Sequence, residues 1–417
     1  MTALATMMRG ARNTFRSGTN ITEQNIMRSL MVDGGRGIEL SGGEWATFEH
    51  LYKTQPWIRA AIDRTAHSMG RLPMKVYIDA EQVNERTRVR DGALADLLDM
   101  PWQPGGNLTV GTQGEMLEAI VKNIAWHGNA VFVKSRRRPG EPPSELIPSN
   151  ASYWSTRTVD GSLVYQFDPG NGQPKLPFFP EEVVHFKFWG TGKATWAPSP
   201  MESIRRTLML EDAAQRAMIS AFEHGMRQAG FFSAPKEMTE GQFQRLRAQM
   251  AENGSGPDRA FKTLLYDNGI TWQAMSNNAE ESQLIEIRKL NREEIAAAFG
   301  VSPPMVGILD RSTFNNIEEL HLMMHDDLDV WATMIEQTLQ AQLISMEPTM
   351  DGQYVEIDLN KILRGDPMKR MAAYASAVGG PWMTPNEARE RENLPPADGG
   401  DALLSPLNSV PANARPA

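Results

Sequence analysis

The stretch 291–319, NREEIAAAFGVSPPMVGILDRSTFNNIEE, decides how this chain reads. A charged helix reaches a small apolar end at Ala296, Ala297, Ala298 and Phe299 and is expected to stop at Gly300. Glycine takes the left-handed position past a helix end without steric cost. Ser302-Pro303-Pro304 then forbids continuation, because proline lacks the N–H that a helix interior needs. A polar loop over 310–315 follows, and Asn315 with Glu318 three residues on resembles a capping box that opens a second helix. Helix, stiff break, short loop and helix together predict a protruding loop held by two rigid arms.

Composition narrows the function classes. At 417 residues, 41% hydrophobic and 22% charged, the chain is ordinary globular material, long enough for two or more cores. It has no cysteine, so disulfides, thiolate metal sites and cysteine nucleophiles are excluded. It has no run of about 18 apolar residues and no apolar N-terminal region, so neither a membrane span nor export is expected. The net charge of −9 argues against a tight grip on DNA, which depends on Lys and Arg displacing phosphate counterions. It leaves room for a protein that DNA slides through.

Working outward, residues 1–43 lack periodicity and are expected to be a flexible arm. Pro56 suits a helix start, with Ile58, Ala61, Ile62, Thr65 and Met69 on one face. Leu72, Met74, Val76 and Ile78 alternate as a half-buried strand. Thr112 and Glu115 cap a helix burying Met116, Ile120, Val121 and Ile124, which ends near Gly128 and feeds a strand over Ala130–Lys134. Leu163, Tyr165 and Phe167, then Val184, Phe186 and Phe188, alternate as further strands, so 44–198 reads as an α+β domain.

Ser199-Pro200-Met201-Glu202 is a helix start, and one helix is expected from there to about Gly225, with Leu210, Ala214, Ala217, Met218, Ala221 and Phe222 on its apolar face. A strand at Phe231–Phe232, a helix around Met238–Glu252, strands at Phe261–Tyr266 and Ile270–Met275 and a helix over Glu280–Phe299 follow. They predict a small strand–helix–strand tip carried on two helices. A helix over about 316–345 presents Ile317, Leu320, Met324, Trp331, Ile335 and Leu339 along one face, and a strand covers Tyr354–Leu359. Asp366-Pro367 and Thr384-Pro385 open two short helices, and a disordered tail is expected over 398–417.

The search for catalytic chemistry gives little. Gly190-Thr191-Gly192-Lys193 lacks the earlier glycine and the following Ser or Thr of a phosphate loop. His321 and His325 stand four apart on a helix, but Leu322 occupies the place of the zinc-protease glutamate, and no metal site is assigned. Arg136, Arg137 and Arg138 follow a strand and precede Pro139-Gly140, which favours a solvated turn over a DNA patch. No cofactor and no catalytic residue are assigned.

Five blocks resemble the tailed-bacteriophage (siphovirus-type) portal protein family, in the family's order: IRAAIDRTAHSMGRLPMKVY (58–77), LEAIVKNIAWHGNAVFV (117–133), EEVVHFKFWG (181–190), the opening stretch, and TPNEARERENLPP (384–396). An extra Ser302 before the Pro pair and Val131 in a place often aromatic are the departures. The resemblance covers about 45–397 and implies a portal fold: an α/β wing (44–198 and 301–363), stem helices (199–228 and 277–300), a small α/β clip (229–276) and a helical crown (364–397). It implies a ring, usually of twelve copies, forming the DNA channel of the head-tail connector at one capsid vertex of the virion, assembled in the host cytoplasm. Double-stranded DNA, the large terminase subunit, the major capsid protein and a head-tail adaptor are the implied partners, with no membrane.

In that setting Arg311, Ser312, Thr313, Phe314 and Asn315 are the expected DNA-channel loop, offering hydroxyls, an amide, one cation and one aromatic ring. Arg288, Lys289 and Arg292 are candidates for channel or intersubunit charge, although the interleaved Glu286, Glu293 and Glu294 favour ion pairing as well. The rival classes are a DNA-processing packaging enzyme, such as a nuclease, and a monomeric structural adaptor. The first needs a nucleotide loop or clustered carboxylates, and the sequence displays neither.

Overall fold

The computed structural model describes residues 37–39, 45–79, 86–103, 110–138, 140–159, 161–169, 174–188, 195–223, 230–233, 239–253, 271–274, 280–308, 317–359, 367–380, 382–392 and 394–404. The chain divides into two compact units, Met1–Asp358 and Leu359–Ala417. The 310–315 loop, the expected strand Phe261–Tyr266 and Gly190–Lys193 lie outside the described residues.

Among the described residues the first unit opens with β1 (Gly37–Glu39) paired antiparallel to β2 (Trp45–Thr47), so part of the expected flexible arm is a strand. Helices α1 (Phe48–Thr54) and α2 (Pro56–Gly70) follow, and α2 buries Ile58, Ala61, Ile62, Thr65 and Met69 as the periodicity predicts. Strands β3 (Met74–Asp79) and β4 (Arg86–Val89) lead to α3 (Ala93–Asp99). Leu72 is buried ahead of β3, and Ile78, within the strand, is exposed, so the expected buried side holds in β3 only for Met74 and Val76. Helix α4 (Gln113–His127) starts at a capping box: Glu115 N–H donates to Thr112 Oγ1 at 3.2 Å, and Thr112 N–H to Glu115 Oε2 at 2.9 Å.

Helix α4 ends at Gly128, with φ of 74°, where an added Cβ would sit 2.2 Å from the Pro198 carbonyl oxygen. No other residue satisfies both constraints. β5 (Asn129–Ser135) then runs between β6 (Glu145–Ser149) and β10 (Val183–Lys187) in an antiparallel sheet of order β10-β5-β6. β5 is buried on both faces over Asn129–Lys134 and β10 over Val183–Phe186, so the alternation expected of Val184, Phe186 and Phe188 does not describe β10. A second sheet, β7 (Trp154–Val159), β8 (Ser162–Phe167) and β9 (Leu176–Phe178), packs Trp154, Tyr165, Phe167 and Phe178 against Val131, Val133 and Val183.

The single helix expected from Ser199 is broken into α5 (Pro200–Ser203) and α6 (Arg205–Glu223). Ser203 Oγ donates to the Pro200 carbonyl at 2.6 Å, a local bond that competes with the helical ladder, and Ile204 turns into the core. Strand β11 (Gly230–Ser233) pairs antiparallel with β12 (Thr271–Ala274), and α7 (Glu240–Asn253) lies between them in sequence. Helix α8 (Glu280–Ala298) packs on α6 and α2. Helix α9 (Ile317–Gln342) buries Leu328, Trp331, Ala332, Ile335 and Leu339. β13 (Gln353–Ile357) completes a third sheet of order β13-β3-β4.

Two glutamine side chains act as strand substitutes. Gln342, the last residue of α9, accepts the His185 N–H at 2.8 Å and donates to the His185 carbonyl at 3.1 Å. Gln113 brackets Met74 the same way, at 2.8 and 3.2 Å.

His185 is buried beneath this contact, stacked on Trp196 with centroids 4.9 Å apart. Asn129 Oδ1 also takes the Ala197 N–H, while its amide group donates to the His127 and Ala197 carbonyls, so it acts as an acceptor toward His185 Nε2 at 2.9 Å. The ring is therefore the neutral Nε2–H tautomer, with Nδ1 facing the Tyr165 hydroxyl at 3.3 Å. Burial, aided by Lys187, lowers the His185 pKa to about 3. The unfolded chain binds this proton near the ordinary value of about 6.5, so stability from neutral His185 is complete above that pH. It falls as pH drops from there toward about 3. Residue-resolved histidine C2–H exchange should show no inflection for His185 between about pH 5 and 8, the range where exposed histidines titrate. An inflection near 6.5 would refute the buried neutral ring.

The second unit contains α10 (Pro367–Gly379) and α11 (Pro385–Arg391). Thr384 and Glu387 form a complete capping box at α11. Asn386 pins the following turn, accepting Ala397 N–H at 2.8 Å and donating to Asp401 Oδ1 at 2.7 Å, while Asn386 N–H donates to the Gly400 carbonyl at 2.9 Å. The expected disordered tail is thus ordered through at least residue 401, because one side chain supplies the partners that its composition does not reveal.

Candidate functional site: a hinge and its paired helices

The opening stretch of sequence forms a hinge built from backbone hydrogen bonds. Helix α8 closes in a Schellman motif: Gly300 N–H donates to Ala297 O at 3.0 Å and Val301 N–H to Ala296 O at 3.0 Å, with Gly300 at φ 65°. Pro303–Val306 makes one 3-10 turn, ended in the same manner by Gly307 at φ 85°, with Ile308 N–H donating to Pro303 O at 3.1 Å. Val301 and Met305 are buried with Phe299, Ile295, Ile58 and Ile62.

Ser302, the residue that departs from the family pattern, is the hinge's tie to α9. Its backbone N–H and its hydroxyl both donate to Asp327 Oδ2, at 3.1 and 2.8 Å. Asp327 lies ten residues into α9, so the arm before the 310–315 loop is bonded directly to the arm after it. The far end of α9 is held too. Ile357 N–H donates to Glu336 Oε1 at 2.6 Å, and burial raises the Glu336 carboxyl's pKa despite that bond. Phe188 meets Trp331 edge to face at 4.3 Å.

The helix pair behind the hinge is joined by a polar cluster that periodicity misses. Glu211 is 2% exposed. Its carboxylate accepts from Arg288 Nε at 3.0 Å, from Gln215 at 3.0 Å and from buried Asn291 at 3.2 Å. Gln215 also reaches Gln55 at 3.2 Å, linking α6 to the residue before α2. The buried face of α6 is therefore Leu208, Glu211 and Ala214, following buried Ile204 at the break, whereas Leu210, expected inside, is 47% exposed. Ile219, Ile285 and Leu290 are exposed apolar residues on the same two helices.

The three expected cations separate. Arg288 pairs within the chain with Glu211, its Nη2 at 2.9 Å, and not with a residue four along its own helix. The Arg292 guanidinium lies 5.7 Å over the Trp57 ring, and Lys289 is exposed. The Arg136–Arg138 run is not a simple solvated turn either. Arg136 forms a bidentate pair with Glu347, which raises the arginine's pKa, and donates to the Glu141 carbonyl at 2.6 Å. Beside it Lys134 is buried against the C-terminal end of α9, and burial lowers its pKa to about 8. His325 faces Asp326 at 3.5 Å, and among the described residues no group of three or more His, Cys, Asp or Glu is placed to hold a metal ion. No described helix is long and apolar enough to cross a membrane.

The family model described as phage portal protein matches residues 56–393, and the chain belongs to that family. The portal protein of Enterobacteria phage HK97 is 27% identical over 350 residues, spanning 82% of this chain and 78% of that protein. The crystal structure of an HK97 family phage portal protein from Corynebacterium diphtheriae shares the fold at a TM-score of 0.56 and 14% identity, over 80% of this chain and 100% of that one. A chain from the neck of a native gene transfer agent particle, computed with C12 symmetry, shares it at 0.56 and 19% identity, over 90% of this chain and 100% of that one.

Proposed function

We propose that this portal protein works as a structural conduit: a ring of about twelve copies at one capsid vertex through which double-stranded DNA is packaged, retained and ejected. The carrying observation is the hinge. Two short backbone motifs and the Ser302–Asp327 bond hold both arms of the 310–315 loop to one rigid frame, as a loop that must keep its place against moving DNA requires. The likeness to a neck chain computed with C12 symmetry supports the ring.

In this reading residues 44–198 and 301–363 are the wing, 199–228 and 277–300 the stem, 229–276 the clip and 364–397 the crown. The clip docks the large terminase subunit, whose ATP hydrolysis drives packaging, and the major capsid protein and the head-tail adaptor bind the same ring. The chain itself has no catalytic activity.

Electron microscopy of the purified protein tests this reading. Closed rings with a central channel are expected, with neither ATP hydrolysis nor metal-dependent DNA cleavage in the same preparation. Monomer alone across a wide range of concentration and salt, or turnover abolished by replacing one carboxylate, would overturn it.

A further inference from the structure

We propose that copies of this chain join head to tail by seating the outer face of one copy's β13-β3-β4 sheet on the exposed face of the next copy's α9; this rests on the ring reading above. Register defines the first face. Val76 is paired with Val355 and Val89, and Val76 and Val355 are buried. Alternation then places Tyr77 with Tyr354 and Arg88 on the opposite side. The two tyrosine rings stack with centroids 5.8 Å apart, Arg88 is exposed next to them, and exposed Arg90 lies just past the end of β4.

Helix α9 carries the second face. Leu322, Met323 and Val330 are 54%, 43% and 49% exposed, and Asp326 and Asp329 stand exposed among them. At about 100° per residue these five fall within about 120° of arc, opposite the buried Leu328, Trp331, Ile335 and Leu339. That buried side packs on β10 and β13.

Each face is the side of its own element turned away from that element's buried residues, and the two are different patches of the chain. Their chemistry matches: guanidinium groups beside aromatic rings on one, carboxylates beside aliphatic side chains on the other. Arginine binds carboxylates bidentately, and desolvated aromatic and arginine anchors carry most interface energy. A contact between two different patches repeats in one sense around a ring.

The absence of cysteine from the chain makes the test clean. In an assembled preparation, the variant Arg88→Cys/Asp326→Cys should give a disulfide-linked ladder of dimer, trimer and higher species on mild oxidation, while Arg88→Cys or Asp326→Cys alone should give none. Independently, Arg88→Glu/Arg90→Glu should weaken assembly at least tenfold by light scattering, and adding Asp326→Lys/Asp329→Lys to the same chain should restore most of it. Intact rings in which the double cysteine variant stays uncrosslinked would overturn the contact while leaving the ring reading standing. So would charge reversal that leaves assembly unchanged. Failure of the unaltered chain to form any ring would overturn the ring reading and the contact with it.

Discussion

Glu211→Ala should unlock α6 from α8, at a local cost of about 1–3 kcal/mol, the penalty of leaving buried Asn291 short of an acceptor while Arg288, a third exposed, turns to water. The carboxylate is the shared acceptor of Arg288, Asn291 and Gln215, so its removal takes a partner from all three and leaves buried Asn291 without this acceptor. Hydrogen exchange should report the loss as faster exchange over 205–223 and 280–298, with the β10-β5-β6 sheet unaffected. Glu211→Gln should be milder, because it keeps an acceptor while discarding the charge. Replacing the pair together, Glu211→Leu with Arg288→Met, should recover part of that cost and not all of it, because buried Asn291 still loses its acceptor. What the double replacement should lose is the fixed register of the two helices, visible as heterogeneous assembly. Unchanged exchange in Glu211→Ala would show that the cluster does not hold the helices.

Arg311→Ala/Phe314→Ala should leave ring assembly intact and sharply reduce the DNA packaged or held per particle. On the proposed reading every copy of the loop reaches the ring axis, which would turn one Arg311 per chain into a circle of positive charge in a particle whose protomers each carry −9. Each phosphate contact is individually weak and salt-sensitive, so a circle of them retards DNA without stalling it. Measuring DNA per capsid for variant and unaltered rings decides the matter. Equal filling and retention, or a loop located on the outer surface of the ring, would refute the loop's role.

Much of the fold was legible because its signals are local. The capping box at Thr112, the glycine stops at Gly128 and Gly300 and the apolar stripe of α2 involve residues within one or two turns of each other, and each reappears in the structure. What escaped is long-range. Glu211 looks like a solvent residue in any window of α6, and only its partners 77 and 80 residues away make its burial tolerable. Arg136 likewise reads as a turn residue until Glu347, 211 residues on, is placed beside it. Ser302 stood out in the sequence as an extra residue, but its bond to Asp327 could not be read from spacing. Asn386 shows the same limit at the C-terminal end: composition foretells disorder there, and one well-placed amide overrides it.

The glutamine brackets at His185 and Met74 bear on the life of the protomer before it finds its neighbours. An open sheet margin invites any passing strand, and a subunit made in many copies risks accreting into open-ended aggregates. Gln342 occupies the central residue of the exposed margin of β10, and Gln113 the point where β3 outruns β4. Each side-chain amide copies the donor and acceptor of a neighbouring strand without supplying a further strand for the next copy to join. Backbone growth is blocked at these two points, and self-association is left to side-chain surfaces, whose geometry can close on itself.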